Sequence, residues 1–348
     1  MKKVLLLFLA LFFAASYSFA QDDFPKVKIH GLTFGDLFYN ASASNPANKD
    51  VNGVRINRVY FTGDFTLSNE FSSRFRLETH QLADGTYGVY VKDAWMKWSN
   101  IFSGSDLIFG ISPTPAFDVS EGAWGHRYME KTIMDLNGIV GSRDMGIDLK
   151  GKFDEGGTVK YWIKIGNNSG NKPEGDKFKR YYGLLEFDPS PELLITVYGD
   201  YASAKPVTYN GTSYDHGAVV AAAFINYREK GIFSIGLEGF IRSQQNNFPT
   251  QNGNSLTSLS GHGISVWAYA NLSPTVQLVG RFDNVDPNTA SYGGAQYDAT
   301  NLILAGVQFN PIKSVSITPN VEVFTHQAAP NTTVDSDVTP RISFYWEF

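Results

Sequence analysis

The 348-residue chain has no cysteine. Its fold must therefore be held by hydrogen bonding and burial, without disulfides and without thiolate metal sites. Positive charge is scarce, with 29 Lys and Arg against 34 Asp and Glu and a formal net charge of −5. Nucleic acid is thereby excluded as an expected partner, because binding it demands a basic footprint. Beyond the first twenty residues no run is apolar for the roughly 18 residues that mark a membrane helix. The six histidines, His30, His80, His126, His216, His262 and His326, never fall at the i, i+4 spacing of helical metal ligands. A phosphate loop, a dinucleotide fingerprint and a G-x-S-x-G elbow are all missing. No metal or cofactor is expected, and the chain is not expected to be an enzyme.

What is present begins at the N-terminus. Lys2 and Lys3 precede an apolar run from Val4 to Ala15, and Ser18-Phe19-Ala20 offers a small-x-small cleavage site. This is the pattern of a secretory signal peptide over residues 1–20, and the run is too short to span a bilayer. Gln21 stands where a lipidated protein would carry cysteine. Removing 20 of 348 residues leaves 328, residues 21–348, and the loss of two lysines takes the charge from −5 to −7.

From there to the end one unit recurs: a segment of period-two alternation, then a turn or loop. In Arg143–Phe153, Met145, Ile147 and Leu149 face one way and Asp144, Asp148 and Lys150 the other. In Ile232–Gln244, Phe233, Ile235, Leu237 and Ile241 oppose Ser234, Glu238 and Arg242. Period two is the strand signal. Sixteen segments are expected, at about 27–41, 54–67, 71–82, 87–98, 105–112, 143–153, 158–168, 178–188, 192–204, 216–228, 232–244, 261–272, 275–286, 299–309, 314–326 and 338–348. The first and tenth alternate poorly. Short connections such as 68–70 and 154–157 take turns with longer polar ones at 42–53, 169–177, 205–215, 245–260, 287–298 and 327–337.

Outer-membrane barrels sort their connections this way, short on the periplasmic side and long outside. A mean hydropathy of −0.20 fits them, because lipid-facing and lumen-facing residues average out. The expected fold is thus all-β: a transmembrane antiparallel β-barrel of about 16 strands in a bacterial outer membrane, with lipids as its surroundings. Phe65, Phe71, Phe187, Tyr227, Phe233 and Phe309 sit beside the short turns, as a periplasmic aromatic girdle would. The closing alternation Ile342, Phe344, Trp346, Phe348 is that of a recognition strand for the barrel-insertion machinery, with Phe348 terminal.

One connection stands apart. Residues 113–142 hold Trp124, Arg127, Tyr128, Glu130, Lys131 and Asp135. Met129, Ile133 and Leu136 are spaced for a short helix over 126–137, with Gly138 as its stop. A connection this long in a compact domain is usually functional. Folded into the lumen, it would narrow the aqueous channel that a 16-strand barrel leaves, and its charges would bias passage.

The opening strand Gly31–Asp36, the run Arg127-Tyr128-Met129-Glu130-Lys131 and the stretch Gly141-Ser142-Arg143-Asp144-Met145-Gly146-Ile147 resemble the phosphate-selective porin O and P family. The resemblance extends over the whole mature chain. It implies a homotrimer, and anion passage past basic residues, here Arg127, Lys131 and Arg143. This chain departs from the pattern in also carrying Asp118, Glu121, Glu130 and Asp135 in that segment. Arg74 and Arg76 share a strand face with Glu78, which suggests lumen ion pairs.

The expected function is passive diffusion of small hydrophilic solutes or ions, with an anion or phosphate preference implied by the resemblance. Two rivals belong to other classes. A lipid hydrolase needs a Ser–His pair on the rim, and the nearest pairing, His262 with Ser265, puts the two on opposite faces of a strand. A closed adhesin or anchor barrel needs a plugged lumen.

Overall fold

The computed structural model describes residues 25–82, 84–290 and 297–348. The expected signal segment lies outside the described residues. The first strands are β1 (Lys26–Tyr39), β2 (Asn52–Thr66), β3 (Phe71–Gln81), β4 (Tyr87–Phe102) and β5 (Ser105–Pro113). After the long connection come β6 (Arg143–Lys152), β7 (Val159–Gly166), β8 (Arg180–Ser190), β9 (Leu193–Tyr209) and β10 (Thr212–Glu229). The rest are β11 (Phe233–Pro249), β12 (Leu256–Ser273), β13 (Val276–Asp286), β14 (Thr300–Ile312), β15 (Val315–His326) and β16 (Asp337–Glu347). Each strand pairs antiparallel with its sequence neighbours, and β1 pairs with β16, so the sheet closes as a 16-strand barrel. Phe348 seals the seam: its backbone exchanges hydrogen bonds of 2.9 and 3.0 Å with Gly31. A closed ladder leaves no unpaired edge, which is the condition for sheet in hydrocarbon.

Burial follows the alternation. On β6 Ile147 is exposed and Asp148 fully buried; on β11 Ile235, Leu237 and Ile241 are exposed while Ser234, Glu238 and Phe240 are buried. The apolar face therefore points outward around the ring. In water such a surface would drive aggregation; against acyl chains it is solvated. The barrel thus belongs in a membrane of the outer-membrane kind. The six girdle aromatics all lie on the outward face at the short-turn end, where Tyr227 and Phe233 rings sit 5.8 Å apart.

Two expectations need correction. Residues 205–215 are not a long loop. Strands β9 to β12 run 17, 18, 17 and 18 residues, although a crossing takes about 9–11. They continue past the bilayer as paired ribbon, and β9 and β10 meet at Asn210-Gly211, with φ of 48° and 79°. Two adjacent positive φ values make the two-residue type I′ turn that Asn-Gly favours. Likewise only 250–255 remain as loop from 245–260. Of the helix expected over 126–137 only one turn forms, α2 (Ile133–Leu136), and a helix that was not expected, α1 (Asp118–Trp124), precedes it. Between them 127–132 form turn and extended chain, because His126, Tyr128 and Met129 are each drawn to different partners on the wall. Gly138 does stop α2, at φ 61°.

Candidate functional site

The long connection leaves the wall after Pro113 and returns at Arg143, lying inside the barrel. Its two ends are clamped: the Thr114 N–H donates to the Ser142 carbonyl at 3.2 Å, and Thr114 Oγ1 donates to the Gly141 carbonyl at 2.6 Å. Its apolar side chains then fill one side of the lumen. Ala116, Phe117, Ile133, Met134, Ile139 and Val140 pack on Trp162, Tyr182, Leu184, Tyr198, Val220 and Phe240 of β7–β11. Trp124, Tyr128 and Met129 pack on Phe224, Trp267, Val279, Leu302 and Leu304 of β10–β14. Polar contacts lock it. Ser120 Oγ donates to Glu238 at 3.1 Å, His126 meets the Gln277 amide oxygen at 2.6 Å, and Tyr128 donates to Gln308 at 2.8 Å. Burial holds the His126 imidazole below its ordinary pKa.

The opposite wall, β1–β6, is charged. Arg55 pairs with Asp36 at 2.8 Å, Arg74 with Asp64 at 2.6 Å, and Arg58 and Lys92 share Glu78, Lys92 at 2.7 Å. Arg76 and Arg143 share Asp93, at 3.2 and 2.5 Å. Four cations thus meet two carboxylates at the centre of this wall, a surplus of two positive charges (4 − 2). The facing connection carries the reverse. Arg127 is held by Glu121 at 3.0 Å and Asp135 at 3.4 Å, and Asp118 stands within electrostatic reach of Arg143. Three carboxylates against one guanidinium leave two negative charges (3 − 1). Burial pushes the Glu121 carboxyl above its ordinary range; Arg127 opposes the rise and Asp135 adds to it.

The structure sorts the expected residues into three groups. Arg76 and Arg127 line the open part of the lumen, with Asp135 paired to Arg127 and Arg143 sharing Asp93 with Arg76. Glu130 turns away to the packed side, where the Lys131 backbone is also held. The Glu130 carboxylate lies 4.0 Å from Arg341, its carbonyl accepts from Trp124 Nε1 at 2.9 Å, and the Lys131 carbonyl accepts from Arg281. Lys131 makes no ion pair among the described residues. Arg74 sits toward the short-turn end with Asp64 and His30. Arg74 and Arg76 are lumen ion pairs as expected, but not with Glu78, which goes to Arg58 and Lys92.

Sequence reading missed Arg58, Lys92 and Asp93, and gave Glu78 the wrong partners. A signal existed at Lys92-Asp93: two consecutive charges in an alternating strand require a bulge if both are to avoid lipid. The register does slip there, with Arg76 opposite Asp93 and Leu77 opposite Val91. A second slip between Phe34 and Gly35 passes over Asn57, whose amide donates to Asp36 at 2.8 Å. His262 and Ser265 fall on opposite faces of β12, exposed and buried, as their spacing required.

Between wall and connection lies a cavity of about 630 Å³, reaching from Arg76, Asp118 and Arg127 down to Arg228 and Gln277 near the short turns. A closed barrel with an inward connection and a charged cavity has the architecture of an outer-membrane porin. No protein-family model and no curated protein matches the chain. Solved structures do match in fold. The outer membrane channel DcaP of Acinetobacter baumannii aligns with TM-score 0.66 at 11% identity, over 95% of this chain and 100% of that one. The anion-selective porin from Comamonas acidovorans gives 0.64 at 13%, over 93% and 100%. Salmonella typhi OmpF gives 0.64 at 13%, over 93% and 98%. At such identities the likeness establishes the fold of the chain.

Proposed function

We propose that this protein is a diffusion porin of a bacterial outer membrane, passing small hydrophilic solutes and ions, with anions preferred. The 113–142 segment sets the size and charge of the passage, and Arg127, Asp135, Arg76 and Arg143 line it. One observation carries the anion preference. In every central pair of the charged wall the cation is the exposed member: Arg55 at 41% against Asp36 at 2%, Arg58 at 20% against Glu78 at 0%, Arg143 at 13% against Asp93 at 1%. A solute meets guanidinium while the carboxylate stays behind it. Facing this, Glu121 and Asp135 set up a transverse field that orients dipolar solutes. Phosphate preference rests on the resemblance to porins O and P, and the carboxylates of the connection work against it. A homotrimer is part of the proposal; one structure of similar fold is a trimer form of Vibrio cholerae OmpT. The terminal strand ending in Phe348 serves as the insertion signal.

The test is electrical. In planar bilayers the purified protein should give ohmic single-channel steps, and a KCl gradient should give a reversal potential of the sign set by chloride. A silent bilayer removes the channel reading. A reversal potential set by potassium removes the anion preference and leaves a general porin.

A further inference from the structure

The cavity between wall and connection carries aromatic rings beside the charges of Arg76, Asp118, Glu121, Arg127 and Arg228. We propose that this chamber binds pyranose sugars, holding them by ring stacking before they leave on the short-turn side. The inference takes its route of access from the channel reading, but the binding surface stands on its own geometry.

The rings form an arc in two layers. Behind are side chains already used in packing: Trp124 lies 5.3 Å from Trp267 and 4.9 Å from His126. In front stand Tyr269, Tyr345 and Tyr60, each only partly buried and each on the cavity wall. Tyr269 lies parallel to Trp267, at 5° and 6.0 Å, and 5.1 Å from His126. Tyr345 sits 5.6 Å from Tyr128. Tyr60 closes the arc at its upper end, 5.3 Å beneath the Arg76 guanidinium. The backing rings fix the front ones in place, so little side-chain entropy is lost on binding.

A passive aqueous channel gains nothing by exposing ring faces to water, which is an unfavourable contact. A solute with a flat C–H face would cover them. The polar groups around the arc fit the rim of such a solute. Gln277 and Gln308 are neutral amides whose orientation is set by His126 with Asn271 and by Tyr128 with Asn310. Arg228 lies at the lower edge. Apolar faces with amide and guanidinium donors and acceptors at their edges match a pyranose, apolar on its face and hydroxylated around its rim.

The probes are maltotriose and, as a ring-free control, the linear hexitol sorbitol. Maltotriose should reduce the open-channel current saturably, and it should shift tryptophan emission of the detergent-solubilised protein over the same concentration range. Sorbitol should do neither. Tyr269→Leu with Tyr345→Leu should raise the half-blocking concentration about tenfold, since each stacking ring contributes a few-fold. Tyr269→Phe with Tyr345→Phe keeps the rings and should retain block. Equal block by sorbitol, or a half-blocking concentration unmoved by the leucine pair, overturns the sugar site while the channel stands. Saturable emission shifts in a protein without conductance would uphold the site and sink the channel.

Discussion

From β2 to β6 the inward residues are charges paired across strands, such as Arg76–Asp93 and Lys92–Glu78. From β7 to β14 pairs such as Arg180–Asp200 and Arg281–Asp283 are joined by apolar residues such as Leu184, Val220, Phe240, Leu302 and Leu304, and the long connection covers these. Both sides show the same outward face to lipid. The difference lies in what the inner face meets, water on one side and protein on the other. This wall is thus half lumen lining and half protein core. The pieces are interdependent: the packed half holds the connection in place, and the connection in turn presents Glu121 and Asp135 to the charged half.

The most damaging way to break this contrast is to hollow out the packed side. Trp124→Ala removes a fully buried indole and its bond to the Glu130 carbonyl, and should cost about 3–5 kcal/mol. The barrel should lose its heat-resistant mobility on SDS gels at a lower temperature, and single-channel current should become larger and noisier as the connection loosens. An unchanged, quiet channel would mean that the connection is not held by this packing. On the charged side Asp93→Asn leaves Arg76 and Arg143 without their shared carboxylate. It should cost about 1.5–3 kcal/mol and shift the reversal potential further toward chloride. Arg76→Gln works in the other direction: removing one charge about 6 Å from a passing ion should lower chloride preference about threefold. A preference that stays put in both variants would dissolve the electrostatic half of the comparison.

The smallest effect falls on neither side. Asp154, in the turn between β6 and β7, accepts from the Val159 and Thr158 N–H groups, and these bonds hold its carboxyl below the usual range. Its stabilising contribution is complete above its unfolded value of 3.8 and fades as pH falls through the lower folded value. Asp154→Asn should reduce stability slightly at pH 7, and the gap from wild type should close in acid. A gap that persists in acid would show that the charge is not the cause.

Strand positions were legible because lipid demands strict alternation, and most segments are met within a few residues. The two poor alternators now have a reason. In β10 Val220 and Phe224 face inward onto Phe117 and Trp267 neighbours, and in β1 Phe34 faces inward in the cluster of Trp124. Both strands are apolar on two sides, because one side meets the connection. The ribbon over 205–215 was hidden because polar strands outside a bilayer carry no hydropathy signal, although Asn210-Gly211 marked its turn. In the candidate site Arg127, Asp135, Arg76, Arg143, Glu121 and Glu78 were named from sequence, but which cation each carboxylate serves was not. Having both the Lys92–Glu78 and the Arg76–Asp93 pairs depends on a bulge at Lys92 that lets Lys92 and Asp93 face inward together.

By itself the sequence determined the barrel, its strand number and which face of most strands meets lipid, because those follow from short-range alternation imposed by a uniform solvent. Tertiary structure alone decided where the long connection rests, which cation each carboxylate serves and where the tyrosine arc opens. Those outcomes depend on residues far apart in the chain, brought together only when the sheet closes, and no local periodicity encodes them.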